Sequence, residues 1–194
     1  MKNILFTVSI TLKTIISKYI TNTFVQAIAS SWLIVLGAHI IVPFYPVPMT
    51  LQTFVVAIIG LLMPWKIALA SVGLYVSYAA IGMPVLQGGV GGMGVLLGPT
   101  AGYIAGFFFM STIISLMMQY FPKSGIIKRL SFVLLGTGVV FFLGVAHLAS
   151  LLNLNWNMAI KMGFYPFIFS ELIKCIVATY VSVCIQDRCN KQNS

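Results

Sequence analysis

The segment VLLGPTAGYIAGFFFMSTIISLMMQ, residues 95–119, contains no charged side chain. A hydrocarbon layer about 30 Å thick is crossed by a helix of roughly 20 apolar residues, so this segment is long enough to span a membrane. Predominantly apolar windows also occur at residues 22–42, 51–64, 66–82, 129–150 and 164–186. The pattern predicts an all-α, polytopic membrane protein with six transmembrane helices.

The composition of the chain supports the same class. The 194 residues are 60% hydrophobic and only 7% charged, a balance that leaves too little polar surface for a water-soluble domain. Proline, glycine and asparagine clusters separate the apolar windows, as expected for short connections. We therefore expect residues 1–194 to form a single transmembrane domain, with lipid as its solvent.

The basic residues predict the orientation of the chain in the membrane. The formal net charge is +9, but the lysines and arginines are scattered singly between apolar runs, which is typical of topology signals and not of a nucleic-acid surface. With six spans, Lys161 lies on one side alone and Lys174 lies inside a span. Both termini are predicted to be cytoplasmic, because one side collects Lys2, Lys13, Lys18, Lys66, Lys123, Lys128, Arg129, Arg188 and Lys191.

Several kinds of site are excluded by the motifs. Glu171 and Asp187 are the only acidic residues, so the chain has neither paired carboxylates nor a Ser-His-Asp set, and we expect no enzyme activity. Residues 89–94, GVGGMG, match a dinucleotide-binding pattern only in their letters, because no acidic residue follows about twenty positions later. No phosphate-binding loop and no cysteine pair with metal-ligand spacing occurs, so no cofactor or metal is predicted, and any use of ATP requires partner chains.

Glu171 and Lys174 are the strongest candidates for a binding site. A charged side chain at the centre of a bilayer costs about 2.5–3.5 kcal/mol, and the sixth window contains two of them. Their spacing of three residues places them on one helix face, where they can pair and also present an acceptor and a donor to a ligand. A purely structural ion pair is the alternative.

Small residues predict close helix packing at two places. Gly98, Gly102 and Gly106 repeat every four residues, which leaves one helix face without side chains. Ala27 and Ser31 form a similar face in the first window, where contact with a separate protein is an alternative to packing within the chain. The connections at residues 43–50, 82–94 and 151–163 carry Pro, Gly and aromatic residues and are predicted to cover a cavity. Plain short turns are the alternative, for the last connection above all.

Four strings in order along the chain carry a resemblance to a known family. They are PVPMTLQT at residues 46–53, GMPV at 82–85, LGPTAGY at 97–103 and ELIK at 171–174. The chain resembles the BioY family, the membrane-embedded substrate-binding subunits of biotin transporters of the energy-coupling factor type. Glu171 replaces the aspartate usual in the family's last motif, and Gln87 is the nearest polar substitute for an Asn or Arg of its middle loop.

The resemblance implies a six-helix bundle in the bacterial cytoplasmic membrane that binds biotin near its outer face. It implies a transmembrane coupling subunit and ATP-binding subunits as partners, with Ala27 and Ser31 as the candidate contact. For the ligand, it implies that Lys174 neutralises the biotin carboxylate and that Glu171 accepts a ureido N–H. The remaining candidate contacts are Gln52 or Gln87 at the ureido edge, and Tyr45, Tyr75 and Tyr103 around the rings.

The sequence is also compatible with two other functions. A subunit of the same transporter type for another vitamin would have the same architecture. A membrane assembly protein without a transport function would bind no vitamin, and would leave the intramembrane pair of charges without a ligand.

Overall fold

Helices form most of the protein in a computed structural model that describes residues 22–193, with side chains through residue 188. Two two-residue strands form a small antiparallel hairpin, in which Ile41 pairs with Thr50. A 3-10 turn, Tyr165–Phe167, joins the last two helices. In chain order the elements are α1 (Thr23–His39), β1 (Ile41–Val42), β2 (Met49–Thr50), α2 (Gln52–Leu62), α3 (Trp65–Ala80), α4 (Met93–Leu96), α5 (Ala101–Tyr120), α6 (Ile126–Leu151), α7 (Trp156–Gly163) and α8 (Ile168–Asn193).

Each of the six predicted windows contains one main helix, but the helices differ in length. Among the described residues, three helical stretches are long and apolar enough to cross a membrane: α5, α6 and the stretch Trp156–Arg188. Helix α2 has 11 residues and therefore rises only about 16 Å, roughly half of a hydrocarbon layer. The positions predicted for Lys2, Lys13 and Lys18 lie outside the described residues.

The breakers in the sequence set the helix ends. Pro64 directly precedes α3 and separates it from α2, since proline is tolerated at a helix start but not inside a helix. Asn22 and Asn155 cap α1 and α7 by accepting hydrogen bonds from the N–H groups of Phe24 and Met158, which satisfies donors left free in the first turn. Turn chemistry in the sequence thus marks where the helices begin.

Glycines bring α5 and α6 into close contact. A Cβ added at Gly102 would overlap the backbone of α6 at Leu143, and one added at Gly106 would lie 2.6 Å from Cα of Val140. The packing predicted for these two positions is confirmed. Gly98 differs from the prediction because α5 begins only at Ala101, after Pro99, so that Gly98 lies in the preceding turn, where its carbonyl oxygen is 3.1 Å from Nε2 of His147.

Ala27 and Ser31 lie inside the chain. Ala27 is 4% exposed and Ser31 is fully buried, on the face of α1 that packs against the other helices, α3 above all. The expectation that these side chains contact a separate protein is therefore corrected to packing within the chain. Small residues predict a close helix contact, but not which helix makes it.

Replacing both Ala27 and Ser31 by leucine is expected to lower the melting temperature of the detergent-solubilised protein. Extra methylene groups in a filled contact cost typically about 1–3 kcal/mol, and both positions are buried. Ala29→Leu is the matched control, because Ala29 is exposed on the same helix. A double variant as stable as the wild type that no longer co-purifies with its partner would restore the original prediction.

Candidate ligand-binding site

A cavity lies where the start of α2 and the first turn of α8 meet α5 and α6. It contains about 480 Å³ of empty space, including the part open at its mouth. Residues 47–50, which form the end of the hairpin loop and β2, line one side, as predicted for a covering loop. The other lining residues are Gln52, Thr53, Gln87, Thr100, Tyr103, Ile104, Phe107, Val140, Phe141, Phe167 and Glu171.

Glu171 and Lys174 form the predicted ion pair on one face of α8, between Oε1 of Glu171 and Nζ of Lys174. The lysine also reaches across to the start of α2. Its Nζ donates to the carbonyl oxygen of Thr50 and to Oγ1 of Thr53, each at 2.9 Å. An ammonium has three N–H donors, so this arrangement uses all of them. Lys174 is not part of the cavity lining, and its predicted contact with a ligand carboxylate stays a prediction.

The carboxylate of Glu171 has one occupied and one free oxygen. Oε1 accepts from Lys174 and from Oγ1 of Thr53, at 3.0 Å for the latter. Oε2 is buried and has no hydrogen-bond partner among the described residues. The whole residue is only 6% exposed. Buried polar atoms are almost always hydrogen-bonded. Because Glu171 lines the cavity, its free oxygen is a candidate acceptor for a ligand N–H.

Gln52 lies at the first position of α2, buried beside the cavity. Its Nε2 donates to the hydroxyl of Tyr75 at 2.7 Å, and its Oε1 accepts from Oγ1 of Thr50 at 3.0 Å. These two bonds fix the orientation of the amide. One N–H of the side-chain amide remains for a further acceptor, so Gln52 can donate a hydrogen bond to a ligand carbonyl.

The middle loop brings Gln87 to the same cavity. Its Nε2 donates to Oγ1 of Thr100 at 3.0 Å, just before α5 begins. The loop needs its glycines, because Gly88, Gly89 and Gly92 adopt positive φ angles that other residues rarely take. The glycines therefore shape a tight loop, as their sequence context indicated, and not a nucleotide-binding turn.

Of the three tyrosines predicted to enclose the ligand rings, only one lines the cavity. Tyr103 lines the cavity, and its hydroxyl donates to the carbonyl oxygen of Gly163 at 2.8 Å. Tyr75 is buried behind Gln52 and does not line the cavity. Tyr45 is 84% exposed and lies away from it. The ring-enclosing roles of Tyr75 and Tyr45 are therefore corrected, and the other aromatic walls are Phe107, Phe141 and Phe167.

Thr53 is the polar residue at this site that the sequence analysis did not select. It lies in the PVPMTLQT string, three residues after Thr50, and its hydroxyl contacts both members of the ion pair. Its place in that string was the available signal. Within residues 22–188, no group of three or more His, Cys, Asp or Glu side chains could hold a metal ion.

The fold and the cavity together define a class: a helical membrane protein with a candidate ligand-binding cavity between its helices. The chain belongs to the BioY family, whose model matches residues 5–191. Among its relatives, the biotin transporter BioY of Thermotoga maritima is 36% identical over 151 residues, which are 78% of this chain and 88% of the relative.

Two further comparisons agree with this membership. The biotin transporter BioY2 of Lactococcus lactis subsp. cremoris is 34% identical over 154 residues, covering 76% of this chain and 84% of the relative. The crystal structure of an S-component for biotin from an ECF-type ABC transporter matches with a TM-score of 0.77 and 27% identity, over 85% of this chain and 90% of the other. The predicted family is confirmed.

Proposed function

We propose that this protein is the biotin-binding S component of an ECF-type transporter and takes up biotin across the bacterial cytoplasmic membrane. The observation that carries the proposal is a cavity whose wall contains a buried carboxylate with a free oxygen, in a chain of the BioY family. The protein is a transport subunit and not an enzyme. It acts with a transmembrane coupling subunit and ATP-binding subunits, which supply the ATP chemistry that this chain lacks.

The chemistry of biotin matches the lining of the cavity. Its ureido group presents flat N–H donors and a carbonyl acceptor, and its sulfur-containing ring is apolar. We assign the ureido N–H to Oε2 of Glu171 and the ureido carbonyl to the free amide N–H of Gln52 or to Gln87. Tyr103, Phe107 and Phe141 enclose the rings. Nanomolar binding corresponds to about 12 kcal/mol, which an enclosed aromatic cavity can provide more easily than an open cleft.

Equilibrium titration of the purified protein tests this assignment. We expect biotin to bind tightly, and thiamine and riboflavin not to bind under the same conditions. A subunit for another vitamin would reverse this order, and a membrane assembly protein would bind none of the three. Recovery of coupling and ATP-binding subunits in a pull-down from native membranes tests the proposed partners.

For the topology, we infer six membrane crossings with both termini in the cytoplasm. The distribution of basic residues supports this assignment, as does the presence of one main helix in each apolar window. In this topology α2 is the shortest of the six crossings, and α3 follows it directly after Pro64, with Lys66 on the cytoplasmic side. At the end of the short span, the hydroxyl of Ser115 on α5 donates to the carbonyl oxygen of Met63.

Single cysteines introduced into a cysteine-free variant are expected to report the two sides. Lys161→Cys should react with a membrane-impermeant maleimide in intact cells, because the residue lies on the outer side of the proposed topology. Lys123→Cys should react only after the cells are opened. Labelling of both from outside, or of Lys123→Cys alone, would contradict the proposed orientation.

A further inference from the structure

The hydroxyl of Thr53 lies between the two charged groups of the site. It is 3.0 Å from Oε1 of Glu171 and 2.9 Å from Nζ of Lys174. An ammonium can only donate hydrogen bonds, and an ionised carboxylate can only accept them. The direction of both bonds is therefore fixed: Thr53 accepts from the lysine and gives its one proton to the glutamate.

Both groups bond to the same oxygen of the Glu171 carboxylate. Oε1 of Glu171 receives hydrogen bonds from both Thr53 and Lys174, whereas Oε2 has no partner among the described residues and is buried. In a weakly screened interior, a lysine beside a carboxylate is attracted to both of its oxygens. The Thr50 carbonyl at the end of β2 and the Thr53 hydroxyl at the start of α2 take two of the three N–H groups of the ammonium, and Oε1 of Glu171 takes the third.

We propose that Thr53 is a positioning residue for ligand binding, which holds Glu171 and Lys174 so that Oε2 stays free for a ligand N–H. This inference rests on the proposed function. Without the hydroxyl, Lys174 loses one of its three acceptors and turns to Oε2. The lysine then competes with the ligand for Oε2.

The hydroxyl also connects the ion pair to the covering loop. Thr53 is in the first turn of α2, directly after β2 and residues 47–50, which line the cavity. Lys174 on α8 binds both the end of β2 and the start of α2. A ligand that donates a hydrogen bond to Glu171 therefore binds to a carboxylate that is itself bonded to Thr53 and Lys174, the residues that connect the loop to α8.

Thr53→Val tests the inference, because valine has nearly the shape of threonine but no hydroxyl. We expect the Kd for biotin to rise about 10- to 100-fold, the range for one hydrogen bond to a charged group. Thr53→Ser keeps the hydroxyl and is expected to bind within a few-fold of wild type. Melting temperatures of both variants establish that the comparison is between folded proteins.

A second ligand separates positioning from general damage. Biotin methylated at one ureido nitrogen, used as each of its two isomers, loses one N–H donor. In the wild type, one isomer should bind much more weakly than biotin. In Thr53→Val this difference should shrink to a few-fold, because a lysine turned to Oε2 competes there with the ligand N–H. A valine variant that weakens biotin and both methylated ligands equally would overturn the proposal.

The remaining outcomes are also decisive. Wild-type affinity for biotin in Thr53→Val, or a serine variant as weak as the valine variant, would contradict a role of the hydroxyl. Absence of biotin binding in the wild type would instead refute the proposed function, so the two failures are distinguishable. Retained discrimination between biotin and the methylated isomers in Thr53→Val would show that Oε2 is not the acceptor that Thr53 keeps free.

Discussion

Replacing Lys174 by methionine is expected to weaken biotin binding by about 100-fold or more. The substitution keeps the length and apolar stem of the side chain but removes the partner of a buried carboxylate. Removing one partner of a buried ion pair typically lowers the free energy of unfolding by about 3–5 kcal/mol, because the remaining charge is uncompensated. Without Lys174, the carboxylate of Glu171 loses the ammonium that holds it in position as an acceptor for a ureido N–H. Titration with biotin in detergent measures the effect.

Biotin methyl ester distinguishes the two possible roles of Lys174. All three donors of the ammonium are engaged with Thr50, Thr53 and Glu171, so we expect Lys174→Met to weaken biotin and its uncharged methyl ester by the same factor. A loss confined to biotin would support a direct contact with the carboxylate. Lys161→Met is the matched control, because that lysine is exposed on α7, and its binding should equal the wild type.

The elements of this fold that depend on local sequence were predictable. Apolar windows and the breakers between them placed the helices, because an apolar environment requires every backbone polar group to be satisfied within its own helix. The pairing of Glu171 with Lys174 was also predictable, since a spacing of three residues on a helix fixes their common face whatever the rest of the chain does.

The relative rotation of neighbouring helices was not predictable from one sequence. Tyr75 and Tyr103 are both aromatic residues on apolar helices, yet only Tyr103 faces the cavity. In the same way, Ala27 and Ser31 define a small-residue face without saying whether its neighbour is this chain or another protein. These assignments depend on contacts between helices distant in sequence, for which composition and periodicity carry no signal.

Thr53 shows a third limit of the sequence. Its hydroxyl is important because of where α8 places Lys174, which is 121 positions away along the chain. A threonine at the start of a helix commonly forms hydrogen bonds to nearby backbone groups, which is sufficient to explain its presence there. The long-range contact therefore has no distinctive local pattern, although the motif that contains Thr53 marked the region.

Gly144→Ala is expected to destabilise the protein by about 1–3 kcal/mol and to weaken biotin binding as well. Gly144 lies on α6 opposite the ring of Tyr103, and an added Cβ would overlap three carbon atoms of that ring. The ring cannot move aside easily, because its hydroxyl is bound to the carbonyl oxygen of Gly163. Displacement of the ring would change the cavity wall that it forms. Thermal unfolding and biotin titration measure the two effects.

Gly138→Ala is the matched control on the same helix. A Cβ at Gly138 would meet nothing within 4 Å, and both substitutions gain the same helix propensity, at most about 1 kcal/mol. We therefore expect Gly138→Ala to be neutral or slightly stabilising, while Gly144→Ala unfolds at lower temperature. In a Tyr103→Ala background, the cost of Gly144→Ala should largely disappear, because residues in contact show non-additive effects. If Gly144→Ala destabilised the Tyr103→Ala protein as much as the wild type, the clash would involve a residue other than Tyr103. The loss of stability would then not be linked to the cavity wall that Tyr103 forms.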